Sequence, residues 1–366
     1  MFGDIFNMLG QQSPNAWFDT ATQLALNIAR GTDGDPNPEP IERQRLEELA
    51  PLVARHVDAL LSVSSDATVT AVNRSALTLA ALAQWRPLIE PNLHTTNIVA
   101  PSDGPDDMAP MMAQLAAAVG PLFAGFQSGS VAGHFSERAW SLAVLALPRL
   151  NEDRLIVVNN LRAFADEWSL ERDEVYVFAL AQEFVASLVL SREGTGDALR
   201  ALLLDSTHEA AAIQGDLMGR LQSLMGDGDI NALMADPERL LEGIELPEET
   251  DATRAINAAT SVLLAFFEVA AHEITAAMLG PRPQLVEAYR RHRRSDARGE
   301  DAAAALFGIA TQGPHHDAAH AFVEHLRDAH GLRVLDALLR VDGLPSVEEL
   351  NDPEAWLARV NASPLA

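Results

Sequence analysis

The chain has 366 residues, 48% of them hydrophobic, which is enough for one large or two ordinary globular domains. Its formal net charge of −26, from 52 acidic against 26 basic residues, repels nucleic acids and anionic membrane surfaces, so neither is an expected partner. The absence of cysteine excludes disulfides, thiol nucleophiles and cysteine-type zinc sites, and it suits a reducing cytoplasm, the predicted compartment.

The composition predicts a mainly α fold. Aromatic residues make up only 5% of the chain, and alanine and leucine are abundant, which favours close-packed helices over strands. Apolar patterns and helix breakers predict helices over about residues 13–30, 41–61, 68–85, 174–191, 194–225 and 250–279, and from Pro283 onward. A short β-branched run predicts a single strand, so we expect at most a small β element near residues 155–161.

Two stretches suggest special packing or binding. Gly125, Gly129 and Gly133 recur at intervals of four and predict a smooth helix face that another helix approaches closely. Residues 227–238 place acidic side chains as in a calcium-binding loop, but they lack the glycine that its sharp turn needs, so an acidic connector is the favoured interpretation. The longest apolar stretch, Ser261 to Leu279, contains three ionisable residues, which predicts a buried helix and no membrane span.

The predicted helix over 174–191 is apolar on nearly every side, so we expect it at the centre of the fold. Its distinctly polar residues after Val175 are Gln182, Glu183 and Ser187. A buried carboxylate must be paired, hydrogen-bonded or neutralised, and the residues three and four positions from Glu183 offer no charged partner. The partner of Glu183 must therefore come from another element.

Asp173 to Leu190 resembles the active-site helix of the zincin-like metallopeptidases of type 2, a bacterial family labelled zinc-dependent metalloproteases or hydrolases. The family motif is His-Glu-x-x-His, and here it reads Gln182-Glu183-Phe184-Val185-Ala186. Trp85 to Pro91 and Leu344 to Trp356 resemble further segments of the family. The resemblance covers nearly the whole chain and implies the helical fold of that family.

The resemblance also implies a division of the chain. Residues 1–95 form an N-terminal helical region, and residues 96–366 form a zincin-like region. The second region contains the degenerate active-site helix over 174–191 and the C-terminal helices. We expect both regions to belong to one integrated domain.

The motif has lost its metal ligands. Two histidines four residues apart share a helix face and hold zinc, while the glutamate between them acts as general base on bound water. Gln182 offers only a weak carbonyl ligand and Ala186 offers none, so only Glu183 remains, as a vestigial general base. Because a catalytic zinc site needs about three protein ligands, no cofactor is the favoured prediction.

The resemblance implies a third metal ligand on a later helix, at Glu268, and His272 lies on the same helix face. One hypothesis is a displaced site for zinc or another divalent metal, with Glu183 as base and Glu268 and His272 as residual ligands. The favoured hypothesis is a buried polar cluster that satisfies itself. His316 and His320 also share a face, and their polar neighbours predict surface positions.

The favoured function is a non-catalytic pseudopeptidase or an interaction protein with a protein or peptide partner in the vestigial cleft. The alternative is a metal-dependent hydrolase or peptidase that uses the displaced site. The basic run over 289–294 is the one concentration of positive charge, and it is predicted to be a solvated helix end or a contact with an acidic partner.

Overall fold

The computed structural model describes residues 15–32, 34–95, 109–207, 249–294, 306–310 and 313–362. The architecture is mainly α, as predicted. The helices are α1 Ala16–Arg30, α2 Pro40–Leu61, α3 Arg74–Thr95, α4 Ala109–Arg138, α5 Val158–Trp168, α6 Arg172–Leu190, α7 Glu193–Thr207, α8 Asp251–Leu279, α9 Pro283–Arg294, α10 Pro314–His330 and α11 Pro353–Ala362. Short 3-10 segments cover Leu142–Val144, Leu332–Leu339 and Glu349–Asn351. The predicted calcium-type loop lies outside the described residues.

The described β structure is a two-stranded parallel sheet of β1 Thr70–Val72 and β2 Leu155–Val157. The small β element near 155–161 is therefore present, but it ends at Val157, where α5 begins. The first strand lies inside a segment for which the sequence predicts helix. There, α3 starts only at Arg74, because the carboxylate of Asp35 accepts hydrogen bonds from the backbone N–H groups of Arg74 and Ser75 at 2.9 and 2.7 Å.

Helix α6 occupies the centre of the fold, as its apolar sequence predicts. Every residue from Glu174 to Leu190 is buried. A reciprocal capping box between Glu171 and Glu174 satisfies the first turn and fixes where the helix starts. Buried apolar side chains from Trp17 to Val360 form one continuous core around it.

Helix α8 packs against α6 and is nearly as apolar. By length and composition it is the one described helix that could cross a membrane alone, or one of two if the bent pair of α6 and α7 counts as a span. Its most apolar window is 67% buried inside the fold, as expected for the core helix of a globular protein. Of the ionisable side chains of α8, Glu268 is buried and His272 is half-buried, whereas Asp251, Arg254 and Glu273 are exposed.

The glycine face of α4 packs directly on α1, as predicted. A Cβ atom added at Gly125 would lie 2.6 Å from the carbonyl oxygen of Trp17, and one at Gly129 would lie 2.6 Å from that of Ala21. At Gly133 it would meet the Ile28 side chain at the same distance. Only glycine lets the two backbones approach this closely.

Replacing Gly129 with valine is expected to lower the free energy of unfolding by about 1–3 kcal/mol, because the obstructing atoms are backbone and the helices must separate. The gain in helix propensity, about 0.3 kcal/mol, does not offset this cost. Chemical denaturation measures the change, with Ser130→Val as the matched control on the adjacent, partly exposed position. Equal losses in both variants would contradict the close approach.

Candidate functional site

Gln182 and Ala186 stand at the two ligand positions of the motif, and both are buried in α6. The side-chain amide of Gln182 is hydrogen-bonded within the core. Trp140 Nε1 donates to Gln182 Oε1 at 3.1 Å, and Gln182 Nε2 donates to the Tyr289 hydroxyl at 2.5 Å. The ring of Trp140 also stacks on that of Tyr289. Ala186 is fully buried and carries no donor atom. The amide of Gln182 therefore links three elements of the core.

Glu183 is held by Arg149 in a buried, bidentate ion pair. Arg149 Nη1 lies 2.6 Å from Glu183 Oε1, and Nη2 lies 3.0 Å from Oε2. The side chains are only 3% and 0% exposed. The backbone N–H of Arg149 donates to the carbonyl oxygen of Leu190 at 2.9 Å, which anchors this arginine at the end of α6. The prediction that the partner of Glu183 comes from another element is confirmed.

These residues do not fit the zinc ion that the motif binds in its complete form. Both oxygens of Glu183 accept hydrogen bonds from a guanidinium group and the side chain is fully buried, so the carboxylate faces no open position for a water or a metal ion. The amide of Gln182 is bonded at both of its polar atoms, and Ala186 has no ligand atom. Helix α6 therefore carries no zinc site of the His-Glu-x-x-His type.

Glu268 of α8 is buried in a separate cluster of basic groups. Arg290 Nε donates to Glu268 Oε1 at 3.1 Å, while Arg293 Nη1 and His320 Nε2 lie 3.7 and 3.4 Å from Oε2. Burial by itself raises the pKa of this carboxyl, but His320, Arg293 and Arg290 outweigh burial and lower it to about 2. Glu268 is therefore an anion at neutral pH.

His272 lies one turn along α8 from Glu268, with its ring edge-on to Phe178 at 6.0 Å between centroids. Burial lowers its pKa, while the charge of Glu268 acts in the opposite direction. The predicted set of Glu183, Glu268 and His272 is thus divided: Glu183 pairs with Arg149, and Glu268 with α9 and α10. The assignment of His272 as a ligand stays a prediction.

His316 and His320 join Glu268 instead. One ligand atom from each of the three residues lies within 4.8 Å of the others. Among the described residues, these three side chains form the group that could hold a metal ion. The two histidines are partly buried rather than on an open surface. Burial, Arg293 and His320 lower the pKa of His316 to about 3. The prediction of no cofactor therefore finds no support at this position.

The basic run over 289–294 is only partly solvated. Tyr289 is buried against the motif, and Arg290 and Arg293 point to Glu268. Arg291 is exposed and pairs with Glu287 on the same helix. The inner face of α9 therefore contacts an acidic group of the chain itself, and contact with a separate acidic partner stays a prediction.

The sequence alone did not indicate that Arg149, Trp140 and Tyr289 are partners of the motif residues. The available signal was weak: Arg149 is the one charged residue between positions 139 and 150, in an otherwise apolar run. A single charge amid apolar residues is typical of a buried ion pair. Neither Trp140 nor Tyr289 is marked by any spacing relative to the motif.

The fold and the site define a mainly helical protein in which the polar residues of the motif segment bind groups of the same chain. The family model for zincin-like metallopeptidases matches residues 17–357, and the chain belongs to this family. No functionally curated protein matches the chain.

A crystal structure described as that of a "putative hydrolase with a novel fold from Chloroflexus aurantiacus" superposes with a TM-score of 0.55 and 16% identity. The match covers 94% of this chain and 98% of the other. At this identity the likeness concerns the fold alone, and it extends over nearly the whole length of both chains.

Proposed function

We propose that this chain is a non-catalytic member of the zincin-like metallopeptidase family, a pseudopeptidase that acts as an interaction protein. The observation that carries the proposal is the bidentate pair between Arg149 and Glu183. A general base must accept a proton from water within hydrogen-bond reach. Glu183 is fully buried and both of its oxygens are bound by an arginine that does not deprotonate, so it has no open position for a water and no such role.

Access to the motif supports the same conclusion. Gln182 is 1% exposed, and Glu183 and Ala186 are fully buried. A peptide bond cannot approach Glu183 without displacing the core packing of α6. The partner that we propose is a protein or peptide bound by the outer surface of a stable helical fold in the cytoplasm, and pull-down with the purified chain is the means of finding it.

Purified protein supplied with zinc is expected to show no hydrolysis of casein or of a fluorogenic peptide library above the buffer background. The control that lacks the candidate base is the double variant Arg149→Met, Glu183→Leu. It replaces the ion pair by apolar groups of similar size and is expected to stay folded. Hydrolysis by the parent that disappears in this folded double variant would overturn the proposal.

The alternative hydrolase, with Glu183 as base and Glu268 and His272 as ligands, makes a different prediction. It requires metal binding that is lost in a variant with both Glu268→Ala and His272→Ala, together with turnover that depends on Glu183. Metal binding without turnover would leave the non-catalytic proposal intact.

A further inference from the structure

Glu268, His316 and His320 form a three-residue constellation away from the motif. His316 and His320 stand one turn apart on α10, with ring centroids 4.6 Å apart, and Glu268 reaches them from α8. His320 Nε2 lies 3.4 Å from Glu268 Oε2. Two ligands on one tetrahedral zinc ion lie about 3.3 Å apart at ordinary Zn–N and Zn–O lengths. That contact therefore already has the separation of two ligands that share a metal.

The rings of His316 and His320 also have buried nitrogen atoms without partners among the described residues. The Nδ1 atoms of His316 and His320 are buried and have no hydrogen-bond partner in the part of the chain that the structure describes. Because each ring binds a metal through one nitrogen, a metal beside Nε2 of His320 can be the missing partner of Nδ1 in His316 alone.

We propose that Glu268, His316 and His320 form a divalent metal site, best suited to zinc, that is distinct from the degenerate motif. Two imidazoles and one carboxylate are the donor set of open zinc sites with three protein ligands. The ligand atoms lie within 4.8 Å of one another, so side-chain movements of about 1 Å bring them to coordination distance. The metal links α8 to α10.

Arg290 and Arg293 define the environment of this site. Arg290 binds the other oxygen of Glu268 at 3.1 Å and acts as the outer contact that orients a ligating carboxylate. Arg290 is itself partly neutralised by Glu324, whose Oε1 lies 3.4 Å from Nη2. Arg293 lies 3.7 Å from Glu268 Oε2, and its charge opposes a cation there. We therefore expect weaker binding than at closed structural zinc sites.

The experiment measures zinc uptake by the full-length chain, using dialysis and elemental analysis together with competition against a chromogenic chelator. The parent is expected to bind about one zinc ion per chain. Removal of a single outer-shell partner lowers metal affinity by about 10–100-fold. The variant with both His316→Ala and His320→Ala loses two direct ligands, so its zinc affinity is expected to fall by more than that.

The control is the variant with both His325→Ala and His330→Ala. These histidines lie on the same helix and contact Glu354, but they are 50% and 37% exposed in their side chains. This control is expected to retain the uptake of the parent. Circular dichroism establishes that each variant folds, and His320→Asn serves as a second, milder test of the site.

Absorption of the Co²⁺-loaded parent gives a readout that depends on coordination and not on activity. Tetrahedral ligation by imidazole is expected to give intense visible bands that are absent from the His316→Ala, His320→Ala variant. No uptake by the parent, or equal uptake by that folded variant, would overturn the metal site.

Failure of this site is distinguishable from failure of the proposed function. Absence of zinc together with absence of hydrolysis would remove the metal site alone. Hydrolysis by the parent that is lost in the folded Arg149→Met, Glu183→Leu variant would overturn the non-catalytic proposal, whether or not zinc binds at His316 and His320.

Discussion

Replacing Arg149 with methionine is expected to lower the free energy of unfolding by about 3–5 kcal/mol, the usual cost of leaving one charge of a buried pair without its partner. The side chain of Glu183 is fully buried, and most of the residues around it on α6 are apolar. It cannot gain water without opening the core. Urea denaturation followed by circular dichroism measures the loss.

The second half of this cycle is the double variant Arg149→Met, Glu183→Leu. Removing both charges avoids their desolvation, so the double variant is expected to be within about 1 kcal/mol of the parent or more stable. The difference in stability between the single and the double variant measures the coupling between Arg149 and Glu183. A coupling of several kcal/mol is typical of a buried pair, because a surface pair contributes about 1 kcal/mol or less. An Arg149→Met variant as stable as the parent would show that Glu183 has another partner.

Acidification from pH 7 to pH 4 is expected to remove about 2–3 kcal/mol of stability through His292 alone. Burial, and secondarily the charge of Arg138, lower the pKa of this ring to about 4. Arg138 Nη2 lies 2.8 Å from Nδ1, and the ring stacks on Trp140 at 5.8 Å between centroids. The unfolded chain takes up the proton near pH 6.5, before the folded chain does, so stability falls as the pH drops through this window.

The test compares the pH dependence of unfolding in the parent and in His292→Asn, which keeps a polar side chain but does not titrate. The difference in the free energy of unfolding between the parent and His292→Asn is expected to change by about 2–3 kcal/mol between pH 7 and pH 4. In Arg138→Gln, the pKa of His292 is expected to rise only part of the way, because burial is the larger cause. A His292 ring that titrates near pH 6.5 by NMR contradicts this account.

The polar residues in the middle of α6 contribute to how the core is assembled. Gln182 and Glu183 lie among mostly apolar residues, and each has partners from the segments that surround α6. Both partner segments must be in place before these side chains are satisfied, since buried polar groups without partners are costly. Glu183 therefore contributes to the specificity of packing between α6 and the segment around Arg149.

Several features followed from the sequence because they are local. The apolar circumference of residues 174–191 required a central helix, and the four-residue spacing of Gly125 and Gly129 required close helix contact. The resemblance of Asp173 to Leu190 to the active-site helix of the family, with two further segments, identified the family correctly.

Tertiary structure alone decided the partners. Asp35 caps α3 from 39 residues upstream, so the strand at Thr70–Val72 is invisible to local propensity. Arg149 reaches Glu183 across 34 residues, and His320 reaches Glu268 from a different helix. Periodicity predicts which face of a helix is buried, but the identity of the group that meets a buried charge depends on long-range chain packing. That packing placed Glu268 beside His316 and His320 and left His272 against Phe178.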